Sequence, residues 1–107
     1  MDAKTLFGQK LPQILKSSPD TARALDAIYV LKISGDNGGT WTVDLKSDPP
    51  SVSEGEAEPN DCVVELSDSD FEELLGDTSR GMQLFLEGKI QISNPMLATK
   101  LVDLLSL

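Results

Sequence analysis

The side chains that could do chemistry in this chain of 107 residues are carboxylates, one thiol and scattered hydroxyls. There is no histidine, which removes the commonest general base near neutral pH, every His-dependent triad and the commonest metal ligand. Among the carboxylates, Asp68-Ser69-Asp70-Phe71-Glu72 opens with the spacing of a calcium loop. It then fails, because the sixth position is Glu73, where the turn requires glycine, and the twelfth is Ser79, where a bidentate Glu must close the site. The glycines spell no phosphate loop: Gly35, Gly38 and Gly39 fall in one turn, and no Gly-Lys-Ser/Thr or strand-linked GxGxxG occurs. Cys62 has no cation beside it in sequence to lower its pKa and occupies an inward strand position, the place of a small buried hydrophobe. These residues predict no catalytic group, no metal ligand and no cofactor. A lone cysteine forms no internal disulfide, so the chain is expected in a reducing compartment.

The acid excess is local. The net charge is -9, yet residues 1–46 hold 5 acids and 6 bases, residues 80–107 hold 2 and 3, and the stretch from Ser47 to Ser79 holds 11 acids and no base. Phosphate-based nucleic-acid binding draws on clustered Lys and Arg, so no nucleic-acid partner is expected. The acidic stretch is read first as a solvated loop and helix face, and second as a docking surface for a basic protein partner. The longest apolar run, Ala27 to Leu31, is far short of the roughly 20 residues that span a bilayer. The first residues lack the layout of a secretory signal.

The elements that must position these groups follow from periodicity. Leu6, Phe7, Leu11, Ile14 and Leu15 form one helical stripe, with Pro12 predicting a kink or two short helices meeting near Lys10. Pro19 or Asp20 starts a further turn of helix through Leu25. Tyr29, Leu31 and Ile33, then Trp41, Val43 and Leu45, alternate as two strands around the turn-forming Gly35-Asp36-Asn37-Gly38-Gly39. After Pro49-Pro50 a short strand is expected over Ser51 to Ser53, and Cys62, Val64 and Leu66 mark another. Ser67 with Asp70 opens a short acidic helix that stops at Gly76. Thr78 or Ser79 caps the next, which is expected to carry Met82, Phe85 and Leu86 inward and to end at Gly88. Ile90 and Ile92 mark a last strand, and Asn94-Pro95 starts a final helix carrying Met96, Leu97, Leu101, Leu104 and Leu105, with Lys100 and Asp103 on its far side. The sum is one α+β domain over residues 1–107, a mainly antiparallel sheet with helices on its apolar face.

The order of segments resembles the sterol carrier protein type 2 domain, the non-specific lipid-transfer family. The residues that carry the resemblance are Gly38-Gly39-Thr40-Trp41-Thr42-Val43-Asp44-Leu45-Lys46, then Asp61 to Phe71, then Phe85-Leu86-Glu87-Gly88-Lys89-Ile90-Gln91-Ile92, closing with Asn94, Leu97-Ala98 and Lys100-Leu101. The resemblance implies a five-stranded, mostly antiparallel sheet with helices on one face, enclosing a hydrophobic tunnel. It implies non-catalytic binding and transfer or presentation of fatty acids, fatty acyl-CoAs, sterols or phospholipids, with at most transient membrane contact. The expected lining is Phe7, Leu11, Ile14, Met82, Phe85, Leu86, Leu97, Leu101 and Leu104, with Trp41 and the inward strand faces as floor. The alternative is an accessory module of the same fold with a filled cavity, docking through its acidic face. Three departures stand out: Ser93 where the family usually has Gly before the Asn, the missing basic character, and a final Leu105-Ser106-Leu107 without the basic residue of a peroxisomal tripeptide, so the cytoplasm is expected ahead of the peroxisome.

Overall fold

The alternating segments pair into one five-stranded sheet made of β1 (Ile28–Ser34), β2 (Gly39–Asp44), β3 (Ser51–Glu54), β4 (Cys62–Ser67) and β5 (Gln91–Ile92). The structure, a computed structural model, describes residues 3–47, 50–77 and 79–105. Pro49, Thr78, Ser106 and Leu107, and the side chains of Asp103 and Leu105, on which expectations above fell, lie outside the described residues. The strand order is β3-β2-β1-β4-β5. The β1–β2, β2–β3 and β4–β5 pairs are antiparallel and the central β1–β4 pair is parallel, so the sheet is mixed but mostly antiparallel.

The β1–β2 connection is a tight turn closed by the Gly38 N–H donating to the Gly35 carbonyl at 3.1 Å. Gly35 sits at φ +104°, and a Cβ there would collide with the Asp68 carboxylate, so two separate constraints demand glycine. That carboxylate accepts the Asn37 N–H at 3.1 Å, tying the hairpin tip to the start of the first acidic helix.

The N-terminal stripe forms α1 (Ala3–Thr5), a π-helical turn (Leu6–Lys10) and α2 (Leu11–Ser17), with Pro12 in the first turn of α2. Proline lacks the N–H and crowds the carbonyl four residues back, and the wider π turn relieves both where the two helices meet. Leu6, Phe7, Leu11 and Leu15 are buried and join Tyr29, Leu31, Val43 and Cys62 in one core. Phe7 stacks on Trp41 with ring centroids 4.8 Å apart and on Phe71 at 5.7 Å. Then come α3 (Pro19–Arg23), α4 (Asp68–Gly76), α5 (Arg80–Leu86) and α6 (Pro95–Leu105).

The sheet's other face is not bare. Thr42 is buried there, its hydroxyl donating to the Gly55 carbonyl at 2.7 Å and accepting the Ala57 N–H at 3.1 Å, while Lys32 pairs with Glu56 at 3.1 Å. The polar segment after β3 thus crosses that face.

One expectation is corrected. Met82, Phe85 and Leu86 are not buried: all three are exposed, Met82 and Phe85 border an open cavity while Leu86 faces solvent, and Leu84 is the fully buried residue of α5. The reason lies in Gly81, which packs so closely on α4 that an added Cβ would meet Leu74 Cδ1 at 3.2 Å. With Gly81 facing α4, the 100° step of a helix sends Leu84 inward, Phe85 to the boundary, and Met82 and Leu86 outward. Met96, in the first turn of α6, is likewise exposed.

Candidate functional site

Between the sheet and helices α4, α5 and α6 lies a cavity of about 380 Å³. Its sheet wall is Leu31, Val64, Leu66 and Ile92, the inward side chains of three adjacent strands. These residues stand beside one another because Leu31 pairs with Val64 across the parallel ladder and Val64 pairs with Ile92. Phe71 and Leu74 come from α4, Gly81, Met82 and Phe85 from α5, and Pro95, Ala98, Thr99 and Leu101 from α6. Ile90 adds an apolar group just ahead of β5.

Among the described residues, no charged side chain lines this space, and its side-chain hydroxyls are those of Ser79 and Thr99. Both already donate within the protein, Ser79 to Asp77 Oδ1 at 2.6 Å and Thr99 to the Pro95 carbonyl at 3.0 Å. A second, open groove of about 490 Å³ runs along Lys32, Thr40, Glu65, Ser67, Asp70 and Lys89. Its charges are mixed and its walls polar, so hydrocarbon would gain little there.

The helical side of the cavity is fixed by polar contacts at its edges. Ser67 caps α4 by accepting the Asp70 N–H at 3.2 Å, and Arg80 bridges back to Glu73 at 2.7 Å, holding α5 against α4. Asn94 Oδ1 accepts the Leu97 N–H at 3.3 Å and so caps α6. The Tyr29 hydroxyl donates to the Leu97 carbonyl at 2.8 Å, and Cys62 Sγ donates to the Asn94 carbonyl at 3.4 Å, so α6 is pinned to the middle of the sheet. Burial, with the Cys62 and Asp61 charges nearby, pushes the Tyr29 hydroxyl up to about 12. Burial also pushes the Cys62 thiol up. Among the described residues, no three His, Cys, Asp or Glu side chains converge as a metal site.

Of the lining expected from sequence, Met82, Phe85 and Leu101 are on the cavity wall. Trp41 and Phe7 stand behind it, reaching it through the stack on Phe71. Leu11 and Leu104 are buried, Ile14 and Leu97 are partly buried against the core, and Leu86 points to solvent. Phe71 and Leu74 of the acidic helix were missed. Their one-sided stripe was visible, but the cavity under it was not.

Part of the acidic stretch is engaged with its own chain. Glu56 meets Lys32, Asp61 meets Lys46 and the Ile28 N–H, Glu73 meets Arg80, and Asp68 takes the Asn37 N–H.

A profile described as the SCP-2 sterol transfer family matches residues 7–106. The chain belongs to this family. It is 36% identical over 91 residues to human hydroxysteroid dehydrogenase-like protein 2, covering 83% of this chain and 22% of that protein. It is 28% identical over 106 residues to human sterol carrier protein 2, covering 95% of this chain and 19% of that protein. The chain therefore spans about a fifth of the length of these curated relatives. Apo sterol carrier protein 2 from Yarrowia lipolytica superimposes with a TM-score of 0.73 at 25% identity, over 95% of this chain and 82% of that one. The SCP-2 fold and the order of elements drawn from residues 38–101 agree. At the position of the expected glycine, the Ser93 hydroxyl accepts the Val63 N–H at 2.7 Å.

Proposed function

We propose that this chain binds a lipid by its hydrocarbon part in the cavity between the sheet and α4–α6, and carries or presents it without covalent chemistry. The observation that carries this reading is the uncharged, apolar wall around about 380 Å³. Ligand pockets run from roughly 300 to 1,000 Å³, so this one suits a single acyl chain, as in a fatty acid or acyl-CoA, better than a bulkier lipid. Burying about ten methylenes recovers on the order of 8 kcal/mol, the scale of a micromolar dissociation constant. With both wall hydroxyls donating within the protein, little in the cavity selects one head group from another, and low selectivity follows.

The test is displacement of a fluorescent fatty acid by palmitate. Saturable binding at micromolar concentration or below is expected, and an absence of saturable binding overturns the reading. The alternative, a filled module docking through its acidic side, is less favoured because an open apolar cavity remains between the sheet and the helices.

A further inference from the structure

The wall of the cavity is not exposed evenly. Met82 and Phe85 of α5 are 68% and 38% exposed, and Pro95 and Thr99 of α6 also reach solvent, whereas Leu31, Leu66 and Phe71 are buried. A hydrocarbon chain entering between α5 and α6 therefore runs toward the sheet and Phe71. Behind Phe71 stands a column of rings. Phe71 stacks on Phe7 with centroids 5.7 Å apart and 17° between the planes, and Phe7 stacks on Trp41 at 4.8 Å and 19°. All three side chains are buried. The Trp41 ring in turn lies against Gly39, so closely that an added Cβ there would meet Trp41 Cη2 at 2.8 Å. The column thus runs ring on ring from the cavity to the backbone of β2, and a close-packed column resists a methylene pressed on its end.

We propose that Phe71, backed by Phe7 and Trp41, is the end stop of the cavity and makes this chain selective for single hydrocarbon chains of about ten to twelve buried methylenes, with sterols excluded. The inference rests on the lipid-binding reading above and names the class of lipid that the same cavity takes. The length follows from volume. A water molecule occupies about 30 Å³ at liquid density, a methylene is close to that size, and the cavity holds about 380 Å³. A sterol's fused rings and side chain exceed that space. A longer acyl chain has to leave its surplus carbons at the exposed mouth, where they gain little. Affinity should therefore climb about fourfold for each added methylene until the stop is met, and then level off.

The experiment measures displacement of a fluorescent fatty acid by octanoate, decanoate, laurate, myristate, palmitate, stearate and cholesterol, for the wild type, Phe71→Leu and Phe71→Ala. Wild-type affinity is expected to rise to laurate or myristate and stay level to stearate, with cholesterol displacing poorly. In Phe71→Leu the break should move about two carbons longer, so that palmitate and stearate bind about tenfold tighter than to the wild type. In Phe71→Ala it should move further, leaving Phe7 as the new end. Circular dichroism checks the fold of both, and should Phe71→Ala fail to fold, Phe71→Leu gives the same reading at smaller amplitude. A merely structural role for Phe71 would weaken every chain length alike and leave the break in place. The proposal is overturned if wild-type affinity keeps rising to stearate, if the break stays put in Phe71→Leu, or if cholesterol displaces as well as myristate. Those results leave the lipid-binding reading standing. No displacement at any length sinks that reading, and the end stop with it.

Discussion

Asp61 joins two parts of the molecule through a single carboxylate. Its Oδ2 accepts the Ile28 N–H at 2.8 Å and faces Lys46 Nζ at 3.4 Å, while its own N–H donates to the Ile28 carbonyl at 2.8 Å. The hydrogen bond from Ile28, helped by Lys46, holds the carboxyl below the usual carboxylate value. A group whose folded pKa is depressed contributes stability that is complete above its unfolded value, about 4, and is lost as pH falls through the folded one. Asp61→Asn should therefore lower the melting temperature near neutral pH and flatten its decline between pH 4 and lower values. An equal acid slope in the two proteins would show that Asp61 does not drive it. The buried thiol is the other residue with a sharp expectation. Cys62 has no solvent exposure and a raised pKa, so a thiol reagent at pH 8 should modify it slowly in the native chain and rapidly in denaturant.

At the scale of elements, the caps decide which way the cavity's helices enter. Ser67 ends β4 and at once caps α4, so the helix leaves the sheet at a fixed angle and lays Phe71 over the cavity. Ser67→Ala removes the acceptor of the Asp70 N–H, and the cost should be about 1 kcal/mol. In a domain of this size that corresponds to a fall in melting temperature of roughly 4–8 °C, measurable by calorimetry; no fall would mean that water replaces the cap. The strands, the hairpin turn and the caps of α4 and α6 were all legible, because they depend on residues within four of one another. The orientation of α5 was not. Its seven residues place apolar groups nearly all round, and the face that turns inward is chosen by Gly81 meeting Leu74, two residues on different helices. The parallel β1–β4 pair was equally hidden, since the alternation in each strand is the same whichever neighbour it takes.

At the scale of the whole molecule, the cavity is a product of helices standing off the sheet. Ala98 is buried on α6 and on the cavity wall, so Ala98→Phe would put a ring into the empty space. Overpacking a filled core costs about 1–3 kcal/mol, but here the ring has room, and the melting temperature should change little. Denying the ligand roughly two methylenes of burial, at about 0.8 kcal/mol each, should weaken fatty-acid binding at least about tenfold. Unchanged affinity would place the bound chain elsewhere.

The sequence by itself determined that one domain forms, that its sheet has five strands with an apolar face, and that its acids gather between Ser47 and Ser79. Those properties are carried by local spacing and by counts. Only the tertiary structure decided that Leu86 faces solvent while Leu84 is buried, and that Glu56, Asp61 and Glu73 meet Lys32, Lys46 and Arg80. It alone decided that an empty space remains under Phe71. A stripe of leucines records which face avoids water; whether that face meets another side chain or a cavity depends on the distance between two elements, and no periodicity encodes that distance.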